Sequence, residues 1–442
     1  MMSGSVSFVL CVDTEGPLYE SPEACIERVN RLFDLSLVPS AEILAALQKG
    51  EIDLGEQTEA VARVVSPDIR DWFGNWKDVE ENVDFGRRPE YRNQVIDDEG
   101  RGLIFNWFIC DWKDFPDNPR RKPMGLNQVF DHYWSLFKDT PETDPLYFHH
   151  HARPFSGASH QPCHNWSNVP DHITKLSANL LEYGHWPACV RTPIMAPDIH
   201  LFLEQWFPFD LSNTAVDTNG QPDVSNRRWT DWEGAPSDWS LYTPALHDYR
   251  RPGNLGRTIG RSVQMGSRYG NLERHELVAA FERARNGEHV LVSAHTHDHS
   301  PCRKLSSYYD MINTVRADFP DVTYHNATAT DAFRRALGIP DKKAPTFTLS
   351  QDGAAVTCRS DAPIWGAQPW FCFKTRDGRY LWDNTDMLDD RTWRYFLDDY
   401  TYPIDLVERV AFAASDAVGN TAVAMSRVQD GKLATLALHS AA

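Results

Sequence analysis

Residues 5–17 read SVSFVLCVDTEGP, an apolar run that ends abruptly in two acidic residues and a Gly-Pro pair. Such a run is typical of a buried strand in a parallel sheet, and the Gly-Pro pair predicts where the strand ends. Side chains two residues apart on a strand point the same way, so Asp13 and Glu15 would converge at the carboxyl edge of the sheet. Active sites of parallel α/β folds form at this edge. By itself such a pair is more often a polar turn, and the histidines downstream are what favour a site.

Strand-like and helix-like patterns alternate over the first three quarters of the chain, which predicts a parallel sheet or barrel. Residues 50–100 form an insertion after the first strand, and residues 213–258 form a long loop. Further strands are predicted at residues 102–110, 145–151, 188–190, 288–294 and 322–324. Helical patterns cover residues 22–49, 128–137, 172–183, 198–206, 273–286, 306–319 and 329–337.

The pattern changes after residues 338–345, which read GIPDKKAP and are typical of a linker. Short apolar or alternating runs follow at residues 346–349, 355–358, 370–374 and 409–414. We therefore predict a barrel domain over residues 1–338 and an immunoglobulin-like β-sandwich over residues 345–442.

Composition argues against several classes of function. The formal net charge of the 442 residues is -18, which repels nucleic-acid phosphates and anionic lipids. We see neither a secretory signal nor a stretch long enough to span a membrane. The eight cysteines include no C-x-x-C pair, which favours reduced thiols and a cytoplasmic location.

Side chains suited to metal and proton chemistry follow four of the predicted strands. A carboxylate with two imidazoles is typical of an open catalytic zinc site, in which the ion acidifies a bound water. A second carboxylate could then act as general base and a further histidine as general acid. The simpler interpretation is a set of solvated strand ends and an ordinary salt-bridge arginine. The residues concerned are Asp13, Glu15, His149, His151, Arg191, His295 and His297.

The order of these motifs resembles the polysaccharide deacetylase superfamily, carbohydrate esterase family four of the NodB-homology type. The resemblance covers about residues 5–337. Within the superfamily, the chain is similar to a divergent branch found in surface-glycan biosynthesis. It implies a distorted (β/α)7 barrel. The stretches that carry it are DTEGP at residues 13–17, FHHH at 148–151, RTP at 191–193, FDLS at 209–212 and the apolar strand with its histidines at 290–297.

The same resemblance implies a role for each residue. Asp13 would be the catalytic base, and Arg191 would orient it. The metal, expected to be Zn²⁺, would be bound by Glu15, His149 and His151, with His160 as a weaker candidate. Either His295 or His297 would be the acid, and the neighbouring aspartate favours His297.

These roles predict a zinc-dependent enzyme that removes the acetyl group from an N-acetylated sugar or polysaccharide. Trp229, Trp232 and Trp239 would wall the cleft, and Asp231 or Asp238 would orient the catalytic histidine. Two alternatives stay open. One is a related barrel hydrolase that acts on a non-sugar amide or a glycosidic bond, and the other is a non-catalytic glycan-binding protein.

Overall fold

The computed structural model has a mixed α/β architecture in which strands alternate with helices up to residue 336 and antiparallel strands dominate from residue 347. This agrees with the predicted change of pattern near residue 340. The structure describes residues 4–17, 20–70, 73–110, 128–150, 169–193, 195, 197–215, 232–266, 271–300, 302–340 and 342–435.

Parallel strands form a nearly closed barrel in the first part of the chain. The bounds are β1 Ser5–Thr14, β2 Phe105–Cys110, β3 Leu146–His149, β4 Cys189–Arg191, β5 Phe209–Asn213, β6 Pro244–Ala245, β7 Asp248–Pro252, β8 Thr258–Arg261, β9 Val263–Gln264, β10 His289–His297 and β11 Thr323–Asn326. Hydrogen bonds connect them in the order β8-β5-β4-β3-β2-β1-β10-β9, and β11 pairs with the start of β1. Strands β6 and β7 form a separate hairpin.

One short segment brings the two edges of this sheet together. Strands β8 and β9 flank Ser262, so residues 258–264 pass from β5 on one edge to β10 on the other. The sequence analysis did not predict this strand, because Gly260, Arg261 and Ser262 interrupt its apolar pattern. The predicted loop at residues 213–258 contains the β6–β7 hairpin.

The barrel interior is apolar at its amino end. Alternate residues of β1, such as Val9 and Cys11, join a buried cluster with Phe209 of β5 and Leu291 of β10. Phe333 closes this end, because its ring stacks on Phe209 with 4.6 Å between centroids. The charged and imidazole side chains of the inward-facing rows lie towards the carboxyl end.

The described part of the chain contains twelve α-helices. The predicted helical stretch 22–49 is two helices, because Asp34 takes a left-handed conformation (φ 53°) and Ser40 caps the second helix. None of the described helices combines the length and hydropathy that crossing a bilayer requires. The bounds are α1 Pro22–Phe33, α2 Ala41–Gln48, α3 Thr58–Val64, α4 Pro67–Arg70, α5 Trp76–Arg87, α6 Pro89–Arg92, α7 Gln128–Phe137, α8 Val169–Tyr183, α9 Pro197–Trp206, α10 Arg274–Arg285, α11 Ser306–Ala317 and α12 Ala329–Ala336.

Two antiparallel sheets follow the barrel. Their strands are β12 Phe347–Asp352, β13 Ala355–Ser360, β14 Trp370–Thr375, β15 Tyr380–Asp383, β16 Asp386–Asp389, β17 Thr392–Phe396, β18 Val407–Ser415, β19 Thr421–Gln429 and β20 Lys432–Thr435. One sheet has the order β12-β13-β17-β16 and the other β15-β14-β18-β19-β20. They share a core in which Val356 and Cys358 of the first sheet join Phe371, Val410 and Phe412 of the second. The immunoglobulin-like class and the domain boundaries stay predictions.

Trp370 joins the second sheet to the barrel helices. Its side chain is completely buried, and its ring centroid lies 5.4 Å from that of Trp186 and 5.0 Å from that of Trp206. Its indole nitrogen donates to the Ser177 hydroxyl at 3.2 Å. The two parts of the chain therefore share a hydrophobic core.

We expect Trp370→Ala to lower the free energy of unfolding by about 3–5 kcal/mol, because the truncation leaves a cavity in this shared core. Tyr400→Ala is the control, since Tyr400 is 99% exposed and surface substitutions usually change stability by less than about 0.5 kcal/mol. Urea unfolding followed by circular dichroism would measure both. Equal stability of the two variants would contradict the interface.

Candidate active site

Five of the predicted side chains lie at the carboxyl ends of neighbouring barrel strands. Asp13 ends the inward-facing row of β1, and the parallel register places it beside His297, with His295 one inward position earlier. His149 at the end of β3 pairs in register with Arg191 at the end of β4. The strands thus bring residues from distant parts of the sequence to one mouth of the barrel.

A buried ion pair occupies the centre of this mouth. The Arg191 Nε donates to the Asp13 Oδ1 at 2.7 Å, and its Nη1 donates to the Leu211 carbonyl at 2.8 Å. Burial by itself would raise the pKa of Asp13, but the charges of Arg191, His295 and His297 outweigh it and leave the pKa below its usual value. Asp13 is therefore a carboxylate near neutral pH.

His149 is held by its neighbours in one orientation. Its Nδ1 lies 2.5 Å from the Arg191 carbonyl oxygen and 3.9 Å from the Asp13 Oδ1. A carbonyl can only accept, so the Nδ1 carries a proton, and in the neutral ring the lone pair is then on Nε2. This is the arrangement that metal-binding histidines generally show. The buried Lys175 ammonium also donates to the carbonyls of Ile109 and His149, which ties the ends of β2 and β3 together.

The two histidines of β10 differ in environment. His295 is buried against the Ser262 hydroxyl, and burial followed by the charge of Arg191 lowers its pKa well below the usual value. His297 is partly exposed, and its ring centroid lies 4.8 Å from that of His299. Burial and His299 lower the pKa of His297, and the carboxylates of Asp13 and Glu15 oppose this effect. His297 is thus the histidine that faces the acidic turn.

Asp298 holds the acidic turn, a role that the sequence analysis missed. Its carboxylate accepts the peptide N–H of Glu15 at 3.3 Å and of Gly16 at 2.7 Å, and the hydroxyl of Tyr133 at 2.8 Å. Gly16 has a φ of +70°, and a Cβ there would lie 3.1 Å from the Trp76 ring, so glycine suits this position. The sequence signal is the Asp in HTHDH at residues 295–299, which the motif pattern favours as a partner of His297.

The structure describes only part of the predicted metal site, because His151 and the weaker candidate His160 lie outside the described residues. Within the described ranges, the group of three potential ligands with donor atoms within 4.8 Å of one another is Asp97, Glu99 and His325. Glu15 and His149 do not form such a group with a third described residue.

The Asp97 group lies near the amino half of β1 and is an ion-pair network. The Asp97 carboxylate accepts N–H groups of Glu99, Arg101 and Asn326. Arg101 lies 2.9 Å from Glu99, and Glu99 also contacts His325 at 3.0 Å. Because an arginine already satisfies these carboxylates, we do not assign a metal to them.

The tryptophans predicted to wall the cleft have a different environment. Trp232 and Trp239 are buried, with 0% and 4% exposure, and their indole nitrogens donate to backbone carbonyls of Pro193 and Glu276. Their rings therefore pack in the core instead of offering a face to a sugar. Asp238 accepts the N–H and hydroxyl of Ser240 in an exposed turn, a local role. Trp229 and Asp231 lie outside the described residues.

A second buried ion pair, between Asp210 and Arg257, lies at β5, the strand that follows β4 in the sheet. Asp210 of β5 lies 3.3 Å from the Arg257 Nε and accepts the N–H of Ser212 at 2.7 Å. Burial raises the pKa of Asp210 in spite of the Arg257 charge. Arg257 also donates to the His200 Nδ1 at 2.8 Å, and the His200 Nε2 lies 3.1 Å from the Ala245 carbonyl. His200 is therefore neutral, with its proton on Nε2.

Comparisons with known proteins give little further information. No family model matches the chain, and no curated protein matches it. Among solved structures, it matches a carbohydrate acetylesterase from Xanthomonas citri with 13% identity and a TM-score of 0.15. The match covers 42% of this chain and 53% of that protein, so the chain spans about half of its length. Such a low TM-score supports no inference about this chain.

His200 gives an expected acid instability. Burial and Arg257 lower the pKa of His200 from 6.5 to about 4. Below about pH 6.5 the unfolded chain therefore binds a proton at this residue, whereas the folded protein binds it only near pH 4. The stabilising contribution is complete above pH 6.5 and is lost as the pH falls towards 4.

We expect the free energy of unfolding of the wild type to fall by about 2 kcal/mol from this group between pH 8 and pH 5. His200→Gln cannot gain the proton and should show a correspondingly smaller pH dependence in urea unfolding. His247→Gln, a surface substitution, is the control. An unchanged pH dependence in His200→Gln would contradict the assignment.

Proposed function

We propose that the chain is a metal-dependent hydrolase that removes the acetyl group from an N-acetylated sugar, on a distorted (β/α)7 barrel of the polysaccharide deacetylase type. The observation that carries the proposal is the buried Asp13–Arg191 pair, with His149 and His297 beside it at the barrel mouth. This set provides a fixed carboxylate, an oriented imidazole and a partly exposed imidazole in one place.

The proposed ligands of a zinc ion are Glu15, His149 and His151. The donor set suits zinc, and the Nδ1–carbonyl contact of His149 leaves its Nε2 as the ligand atom. When bound, the ion would polarise the acetyl carbonyl and acidify a water molecule.

Asp13 is the proposed general base. It would accept the proton of the water whose oxygen forms the new bond to the acetyl carbon. Because Arg191 keeps the pKa of Asp13 low, this carboxylate can deprotonate only a strongly acidified water. Arg191 holds the carboxylate in place and is not itself a proton carrier, since its guanidinium stays charged.

His297 is the proposed general acid. When the bond between the acetyl carbon and the sugar nitrogen breaks, the nitrogen requires a proton, and His297 is the β10 histidine that lies towards the solvent side of the mouth. His295 is buried with a strongly lowered pKa, so it is a poor proton donor. The products would be acetate and the free amino sugar.

A glycosidase is less well supported by the same residues. Such enzymes need one carboxylic acid whose pKa is raised so that it can protonate the leaving oxygen. The pKa of Asp13 is lowered. A glycan-binding protein without activity remains the alternative that the following experiments address.

We expect the zinc-loaded protein to release acetate from at least one member of a panel of N-acetylated mono- and oligosaccharides. Asp13→Asn should lower kcat by about 10²–10⁴-fold, since it removes the general base with little change in shape. Asp238→Asn is the matched control at an exposed turn and should keep kcat. Absence of acetate release from the whole panel, or equal rates for both variants, would count against deacetylation.

Metal binding can be tested without a substrate. We expect elemental analysis to find about one zinc per chain in the wild type and much less in His149→Ala. His275→Ala, which removes a histidine from the exposed side of α10, should keep the wild-type content. If His149→Ala bound as much zinc as His275→Ala and the wild type, His149 would not be a ligand.

A further inference from the structure

Asp298 is fixed from both sides at the edge of the barrel mouth. Its own N–H donates to the Asp13 carbonyl at 3.2 Å, which continues the pairing of β1 with β10 by one residue. Its carbonyl accepts the Asn82 Nδ2 at 2.8 Å, and the same Nδ2 donates to the Ser300 carbonyl at 2.9 Å. Helix α5 of the insertion therefore pins the backbone on which the Asp298 carboxylate is mounted.

The Asp298 carboxylate closes the turn that carries Glu15. Two consecutive peptide N–H groups, those of Glu15 and Gly16, point at this one carboxylate. Each of them would need another acceptor if the turn took a different course, because the turn is largely buried. The negative charge of Glu15 acts on His297 and opposes the lowering of its pKa.

Tyr133 of α7 supplies a third donor to the same group. Its hydroxyl donates to the Asp298 Oδ2 at 2.8 Å, and burial together with the Asp298 charge raises the pKa of Tyr133 well above its usual value. The hydroxyl therefore stays protonated and remains a donor. The turn and α7 thus supply three hydrogen-bond donors to the Asp298 carboxylate, and the His299 Nδ1 lies 3.3 Å from its Oδ1.

We propose that Asp298 is a positioning residue that holds Glu15 in the direction required to bind the metal ion. The inference rests on the proposed function, because Glu15 is a ligand only there. Asp298 does not contact the substrate or the ion in this proposal and acts only through the peptide groups of residues 15 and 16. A partner of this kind typically changes metal affinity by about 10–100-fold when it is replaced.

The test is zinc affinity, measured by competition with a chromogenic chelator, for the wild type and Asp298→Asn. In the variant, the amide nitrogen replaces one acceptor oxygen, so one peptide N–H loses its partner. We expect zinc affinity to fall by about 10–100-fold while the far-ultraviolet circular dichroism spectrum stays unchanged. Tyr133→Phe keeps both peptide contacts and should show a smaller loss.

Asp416→Asn is the matched control for a purely structural effect. Asp416 also closes a turn with two peptide N–H groups, those of Val418 and Asn420, but it does so in the sandwich. We expect this variant to lower the melting temperature and to leave zinc affinity unchanged.

The outcomes separate the two proposals. Zinc binding by the wild type with equal affinity in Asp298→Asn would overturn the positioning role and leave the hydrolase proposal standing. An equal loss of affinity in Asp416→Asn would also overturn it, because the effect would then follow from stability alone. Failure of the wild type to bind zinc would overturn the metal site itself, together with the role of Asp298.

Discussion

The buried pair of Asp13 and Arg191 is the interaction on which the barrel mouth depends. Each group by itself would be expensive to bury, and removing one partner of such a pair typically costs about 3–5 kcal/mol. Arg191 also reaches the Leu211 carbonyl, and its own carbonyl orients His149. One side chain and one peptide group thus link β1, β3, β4 and β5 at the carboxyl end. Any account of function has to begin with a carboxylate that is ionised and immobile.

The two ends of the barrel differ in the side chains that face its interior. The amino end is closed by an apolar plug centred on Phe333, which stacks on Phe209. Inward positions at the other end carry charged and imidazole side chains, which must satisfy one another because little water reaches them. The polar groups of the insertion and of α7 complete this satisfaction from above, through Asn82 and Tyr133. The insertion therefore contributes hydrogen bonds to the barrel mouth through Asn82.

Local patterns in the sequence predicted the strands that have clear apolar runs and the residues that follow them. Asp13, Arg191 and His297 could be found because each ends or follows such a run, and parallel strands bring their ends together. The strand at residues 258–264 could not, because its identity depends on pairing with both β5 and β10 and not on its own composition. Burial of Trp232 and Trp239 likewise depends on tertiary packing, which an aromatic-rich loop does not reveal.

The short segment at residues 258–264, which joins the two edges of the barrel sheet, helps to decide whether His295 or His297 is the general acid. The closing segment pairs with β10 at Ala294 and His295, and the Ser262 hydroxyl contacts the His295 ring. His295 therefore belongs to the contact that joins the edges of the barrel, and its burial there keeps it neutral. His297 lies two residues beyond the pairing, where β10 neighbours only β1 among the described strands. A proton donor has to exchange with solvent between turnovers, and His297 meets that requirement because closure of the barrel ends just before it.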